Sequence, residues 1–187
     1  MSEQEARESR LYSLDLPETA FSYHVDRLIR IVGDAVSWIW VLLLAIIVIN
    51  VIMRYLFAEG RIEFEEIQWH LYSTGFLIGL SYGFVSDSHV RVDVLRERMR
   101  PETQAWIELY GLLFLLLPFI MLVILASIPF VSYSFATGEV SQAPGGLPFR
   151  WAIKGFLTVG FFLLLIVTLA RLSRVMSFLF GWPGPRS

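Results

Sequence analysis

An apolar run without any charged residue, Ile67 to Val85, constrains the fold of this chain more than any other feature. Acidic residues precede it at Glu63, Glu65 and Glu66, and a charged segment follows it. At about 1.5 Å per residue, a helix of this length just crosses the roughly 30 Å hydrocarbon core of a bilayer. A helix also satisfies its own backbone groups away from water. The run is therefore predicted to span a membrane.

Two faces of this predicted helix carry side chains that suit a protein neighbour better than lipid. Small residues recur every four positions and form a smooth stripe that permits close helix packing: Gly75, Gly79 and Gly83. Polar residues lie on the roughly opposite side: Glu66, His70, Ser73 and Ser81. The glycine stripe is our candidate subunit interface. The alternative is that glycines are simply common in membrane helices.

Composition supports a membrane protein and excludes several classes of function. Of the 187 residues, 56% are hydrophobic and only 17% are charged, an apolar excess that a single soluble core would not hide. The net charge is −2, and no basic stripe is interleaved with aromatic residues, so we expect no nucleic-acid partner. The chain has no cysteine, which excludes disulfides and thiolate metal sites. The first twenty residues contain no apolar segment and do not resemble a cleaved secretory signal.

The hydropathy pattern predicts an all-α membrane protein with four transmembrane helices. We place the spans at about 36–57, 67–85, 106–131 and 151–172, in one membrane domain covering residues 21–175. A mobile polar segment, residues 1–20, precedes this domain, and a loose tail, residues 176–187, follows it. The short connection 58–66 makes the first two spans an antiparallel hairpin. Pro118 should bend the third span near its middle.

Four segments near the membrane surface leave alternatives open. Phe21 to Asp34 has apolar residues at helical spacing and is either a separate N-terminal interfacial helix or a continuation of the first span. The arginine-rich segment that follows the second span either lies on the membrane surface or is a solvated loop. Residues 132–150 form an ordered or semi-ordered loop. Arg54 either extends to the lipid phosphates or pairs with an acid at 63, 65 or 66.

The distribution of arginine and lysine predicts the orientation of the spans. Eleven such residues flank the spans on the side of the two termini and the middle loop, and four flank them on the other side. Because cytoplasmic loops are enriched in these residues, both termini are predicted to be cytoplasmic.

No constellation in the sequence predicts catalysis, a metal site or a cofactor. His70 lies near one membrane surface on this topology, and His24 and His89 lie near the other, so the three cannot share a compact metal shell or ligate a haem. We expect His70 to bond to Glu66, one turn away. A transporter that acted alone would need convergent polar groups at mid-membrane, and few are present. A self-assembling channel or exporter, or a membrane redox protein, remains the alternative to a scaffold subunit.

Several short motifs occur in an order that resembles one known family. Asn50 to Phe57 ends the first span with an arginine-tyrosine-x-phenylalanine motif. An acidic pair then begins the second span, and a glycine lies within that span. A histidine-valine-x-valine-aspartate motif follows the second span. The motif positions are Arg54, Tyr55, Phe57, Glu65, Glu66, Gly79, His89 and Asp93. Together, over about residues 22–175, they resemble the small membrane subunit of tripartite ATP-independent periplasmic (TRAP) transporters.

This resemblance implies a protein of the bacterial inner membrane that works in a complex. The implied partners are a large transmembrane transport subunit, a periplasmic substrate-binding protein that captures an organic acid, and membrane lipids. Uptake in such systems is driven by an ion gradient, usually of sodium, and the small subunit is not an enzyme. The resemblance places Glu65 and Glu66 near the outer docking face, and His89 to Asp93 at the inner end. No cofactor is implied.

Overall fold

The computed structural model describes residues 15–87 and 99–184, and in these ranges the chain is helical without any strand. The described residues form four long helices: α1, Ala20–Leu56; α2, Ile62–Val85; α3, Pro101–Ala136; and α4, Arg150–Phe180. The predicted all-α class is confirmed. The arginine-rich segment after the second span, with His89 and Asp93, lies outside the described residues, as does most of the N-terminal segment.

Three of the four helices are long and apolar enough to cross a membrane, namely α1, α3 and α4. α2, which contains the predicted second span, is not among them. Its 24 residues are sufficient in length, but its first turns carry acidic and polar side chains that lower its mean hydropathy.

α1 is one continuous helix that begins with a capping box. The side-chain oxygen of Thr19 accepts the Ser22 backbone N–H at 3.1 Å, and the Ser22 hydroxyl oxygen accepts the Thr19 N–H at 3.1 Å. The interfacial segment predicted at 21–34 is therefore not a separate helix but the start of α1. The physical reason is that Val25 and Ile29 pack against Val167 and Ala170 of α4 instead of facing headgroups.

α3 contains a wide turn at the place where proline interrupts its hydrogen bonding. Residues Gly111–Leu116 are π-helical, between α-helical Pro101–Tyr110 and Leu117–Ala136. The Leu117 N–H donates to the carbonyl of Leu112, five residues earlier. Pro118 has no N–H to donate, and its ring crowds the preceding turn, so the wider spacing just before it accommodates the ring. The irregularity predicted at Pro118 thus lies in the turn that precedes it.

α4 lies at the centre of the bundle, since it packs extensively against each of the other three helices. Its second half is longer than predicted: the helix continues through residues 173–180, and the tail predicted to be loose from 176 leaves the helix only at Gly181. Val175 explains the difference, because it is fully buried against Ala105 and Leu112 of α3. Gly181 ends the helix at φ +70°, a left-handed conformation that glycine adopts without strain.

Close contact between α2 and α4 depends on Gly160. A Cβ atom at this position would lie 2.9 Å from the Leu77 Cβ and 3.0 Å from the Leu77 carbonyl oxygen. Because part of the obstacle is backbone, a side-chain rotation alone cannot make room. The two helices can lie this close only with glycine at position 160.

We therefore predict that Gly160→Leu destabilises the isolated protein by about 1–3 kcal/mol, the usual cost of overpacking. Gly155→Leu on the same helix is the matched control, because a Cβ there meets nothing within 4 Å. Thermal unfolding in detergent, followed by tryptophan fluorescence, measures both variants. Equal melting temperatures for the two variants would contradict a close α2–α4 contact at Gly160.

Candidate functional site

The candidate functional surfaces lie at the two ends of the bundle and along one open face of α2. We call the end that holds residues 57–61 and 137–149 the connection end, and the opposite end, where α1 begins and α4 finishes, the terminal end. Each end is organised by charged side chains, and the sequence analysis anticipated only one of the two.

Arg54 joins the first two helices at the connection end. Its guanidinium forms an ion pair with the Glu65 carboxylate, which selects one of the three predicted partners. The two side chains are 54% and 44% exposed, so the pair contributes less than about 1 kcal/mol. The pair orients the α1–α2 connection without dominating its stability.

Glu66 fastens the α3–α4 loop to the start of α2. One carboxylate oxygen accepts the Ser141 hydroxyl, and the other accepts the Leu147 backbone N–H at 2.6 Å. The Gly146 N–H donates to the Ala143 carbonyl at 2.9 Å, so the loop turns tightly beside this carboxylate. The bonds from Ser141 and Leu147 lower the pKa of Glu66, because both stabilise its charged form. Two long-range contacts thus depend on one acid that the motif comparison singled out.

A second acid, Glu139, holds the beginning of the same loop. Its carboxylate accepts a bond from Lys154 of α4, and its backbone N–H donates to the Ser134 carbonyl at 3.0 Å. The Lys154 ammonium also lies 4.1 Å from the centroid of the Phe130 ring, a cation–π contact. The hydrogen bond from Lys154 lowers the pKa of Glu139, because it stabilises the charged carboxylate. The loop is therefore held at both ends, and of the two predicted states it adopts the ordered one.

His70 is bonded to the neighbour that its spacing predicted. Its Nδ1 atom donates to the Glu66 backbone carbonyl one turn earlier, so the contact is made to the main chain and not to the carboxylate. Within residues 15–87 and 99–184, no group of three or more histidines and acids could hold a metal ion. His70 therefore acts as a local support for the first turns of α2.

The three glycines of the predicted stripe do not share one environment. Gly75 is buried, and a Cβ there would lie 3.2 Å from the Trp40 ring of α1, so it serves packing within the chain. Gly79 is exposed, and a Cβ there would meet nothing within 4 Å. Gly83 is half-buried. Four residues on an α-helix advance about 40° past a full turn, so the stripe rotates from the α1 contact to an open surface.

The terminal end is held by two arginines of α4 that sequence analysis used only to orient the spans. Arg171 pairs with Glu108 of α3 and lies 4.0 Å from Asp87, just past α2. Arg174 pairs with Asp26 of α1. In both close pairs each side chain is less than 20% exposed. The i, i+3 spacing of the two arginines predicts that they share one face of α4, but the sequence does not indicate which acids they meet.

These observations define a multi-pass, all-helical membrane protein. The chain matches the family model described as tripartite ATP-independent periplasmic transporters, DctQ component, over residues 43–178. It therefore belongs to that family and is a component of a TRAP transporter, as the motif resemblance predicted. No curated protein and no solved structure was found to match the chain.

We predict that Glu66→Gln loosens the 137–149 loop at neutral pH, because an amide replaces the carboxylate that accepts from Ser141 and Leu147. The chain has no cysteine, so a spin label attached to Gln142→Cys reports loop mobility by electron paramagnetic resonance. Glu63→Gln is the matched control, since that neighbouring acid accepts neither bond. An unchanged spectrum for Glu66→Gln would contradict the proposed fastening.

The same label tests the pH dependence. A carboxyl whose pKa is lowered in the folded state stabilises the loop above its ordinary pKa of about 4.5, and this stabilisation is lost as the pH falls through the lowered value. The label should therefore gain mobility only below about pH 4.5, and this transition should be smaller in Glu66→Gln, in which Glu139 is the remaining acid that holds the loop.

Proposed function

We propose that this chain is the small, non-catalytic subunit of a secondary, ion-gradient-driven uptake transporter for organic acids. In this proposal it braces a large transmembrane transport subunit and helps a periplasmic binding protein to dock. Membership of the DctQ family is the observation that carries the proposal.

The proposed topology has four spans in the bacterial inner membrane, with both termini cytoplasmic. α2 is the span that hydropathy alone does not support. It lies along both α1 and α4, which are apolar enough to cross the membrane, and its 24 residues extend about 36 Å. A helix packed along two spans for that length lies among them and not on the membrane surface. The terminal end would then face the cytoplasm and the connection end the periplasm.

A bracing role is supported by the use of polar groups inside the bundle. Thr158 of α4 donates to the Ser127 hydroxyl of α3 at 2.9 Å, and the Thr168 hydroxyl donates to the Leu164 carbonyl at 2.7 Å. The first bond joins α4 to α3, and the second satisfies a backbone carbonyl within α4. The close ion pairs, in turn, lie near the helix ends. These polar groups thus serve the packing of the bundle, which suits a scaffold for a subunit that contains the transport site.

The connection end is our candidate for the docking surface of the binding protein. Glu66 and Glu139 hold its larger loop in a defined shape, so little conformational entropy is lost when a partner binds. Phe149 is 66% exposed and has a left-handed backbone at φ +64°, so an apolar side chain is displayed at the base of α4. Glu65 and Glu66 contribute charge at the same end, in keeping with the positions that the family resemblance implies.

The direct test is reconstitution in liposomes with a panel of labelled carboxylic acids under a sodium gradient. We expect no uptake by the purified chain alone, and uptake when the large subunit and the binding protein are added. Robust transport by the chain alone would overturn the proposal and favour a self-sufficient channel or exporter.

We also predict that Gly79→Leu weakens copurification with the large subunit, because a bulky side chain would obstruct close approach at this open position. Loss of a close small-residue contact should reduce recovery of the complex about tenfold. Gly155→Leu is the control, since position 155 on α4 also has free space around it. If the Gly79→Leu chain still copurifies normally, Gly79 is not at the interface.

A further inference from the structure

A groove runs between α1 and α2 in the half of the bundle near the connection end. It encloses about 310 Å³ and is lined by Leu43 and Ile47 of α1 and by Gln68, Trp69 and Tyr72 of α2. Trp69 and Tyr72 are 74% and 55% exposed. The groove therefore has two helical walls and is open on its third side.

One wall of the groove contains a polar atom that lacks a partner. The Nε2 atom of Gln68 is buried and makes no hydrogen bond. Buried amide groups are normally hydrogen-bonded, and leaving them unpaired is costly. An unpartnered amide donor in the wall of an apolar groove indicates an occupant that can accept a hydrogen bond.

The rim of the groove continues along α2 as a single face. The Tyr72 ring meets Trp40 edge-on, with centroids 5.9 Å apart, and stacks on Phe76 at 6.3 Å, so it is held in position. On a helix of 3.6 residues per turn, Gly79 lies within about 20° of Tyr72. Together, the groove and the exposed glycine form a surface with an aromatic ridge and a smooth end, which has the shape and length for a neighbouring helix.

We propose that this groove receives a transmembrane helix of the large transport subunit, and that this helix presents a hydroxyl or amide group to Gln68. The inference rests on the proposed function and adds to it the surface and the chemistry of the contact. A lipid acyl chain would fill the apolar part but has no hydrogen-bonding group. A helix carrying Ser, Thr, Asn or Gln satisfies both parts, since such side chains form hydrogen bonds between membrane helices.

Site-specific photo-crosslinking in the assembled complex tests the location. The photoreactive residue p-benzoylphenylalanine replaces Ile47 in one variant and Ile49 in a matched control, since the two isoleucines have similar exposure and point about 200° apart on α1. We expect a cross-link from position 47 to the large subunit and none from position 49. A cross-link from position 49 alone, equal cross-links from both positions, or only lipid adducts at position 47 would overturn the proposal.

A second variant tests the chemistry of the contact. Gln68→Leu keeps most of the side-chain volume and removes the donor, and it should weaken association about threefold, as is typical of one hydrogen bond between membrane helices. Gln142→Leu in the exposed loop is the control and should leave association unchanged. Equal or tighter association of Gln68→Leu would overturn the polar contact.

The outcomes separate this inference from the proposed function. If the wild-type chain copurifies with the large subunit, but Gln68→Leu associates normally and position 47 gives no cross-link to that subunit, the groove is not the interface and the subunit role stands. If the wild-type chain does not copurify at all, the proposed function fails together with the groove.

Discussion

The central position of α4 is the constraint on which the rest of the structure depends. This helix contacts the other three, and the kind of contact changes along its length. Gly160 permits close contact with α2, buried aliphatic side chains fill the space towards α1 and α3, and two arginines form ion pairs at the terminal end. In lipid, burial of apolar surface gives little drive for helix association, so close packing and polar contacts determine the arrangement.

Charged side chains make different kinds of contact at the two ends of the bundle. At the terminal end, Arg171 and Arg174 are largely withdrawn from solvent and meet acids from α1 and α3, which fixes the relative positions of these helices. At the connection end, Glu66 and Glu139 bind a loop and not another helix, so they determine the shape of a surface. Ion pairs between helices hold one end, and contacts that fix the shape of a loop hold the other.

Much of the apolar surface of this chain is left uncovered by its own helices. α1 buries only a narrow seam of residues, including Leu43 and Asn50, while large side chains on its remaining sides are exposed. Such a surface is suited to lipid over most of its area. In our proposal, a protein neighbour covers the groove beside the unpartnered amide of Gln68. The remaining apolar surface of such a chain is suited to cover by the molecules around it.

The sequence by itself determined the helical class, the family and the approximate extent of the apolar segments, because hydropathy and helical periodicity are local properties of consecutive residues. It also predicted that His70 bonds to Glu66 and left an acid at 63, 65 or 66 as one of two possible partners for Arg54, since both contacts are close along the chain. Only the tertiary structure decided that Gly75 faces inward while Gly79 is open, that Glu66 holds a loop some eighty residues away, and that Arg174 meets Asp26. These contacts depend on how the helices rotate and cross, and rotation is set by packing between residues that are distant in sequence.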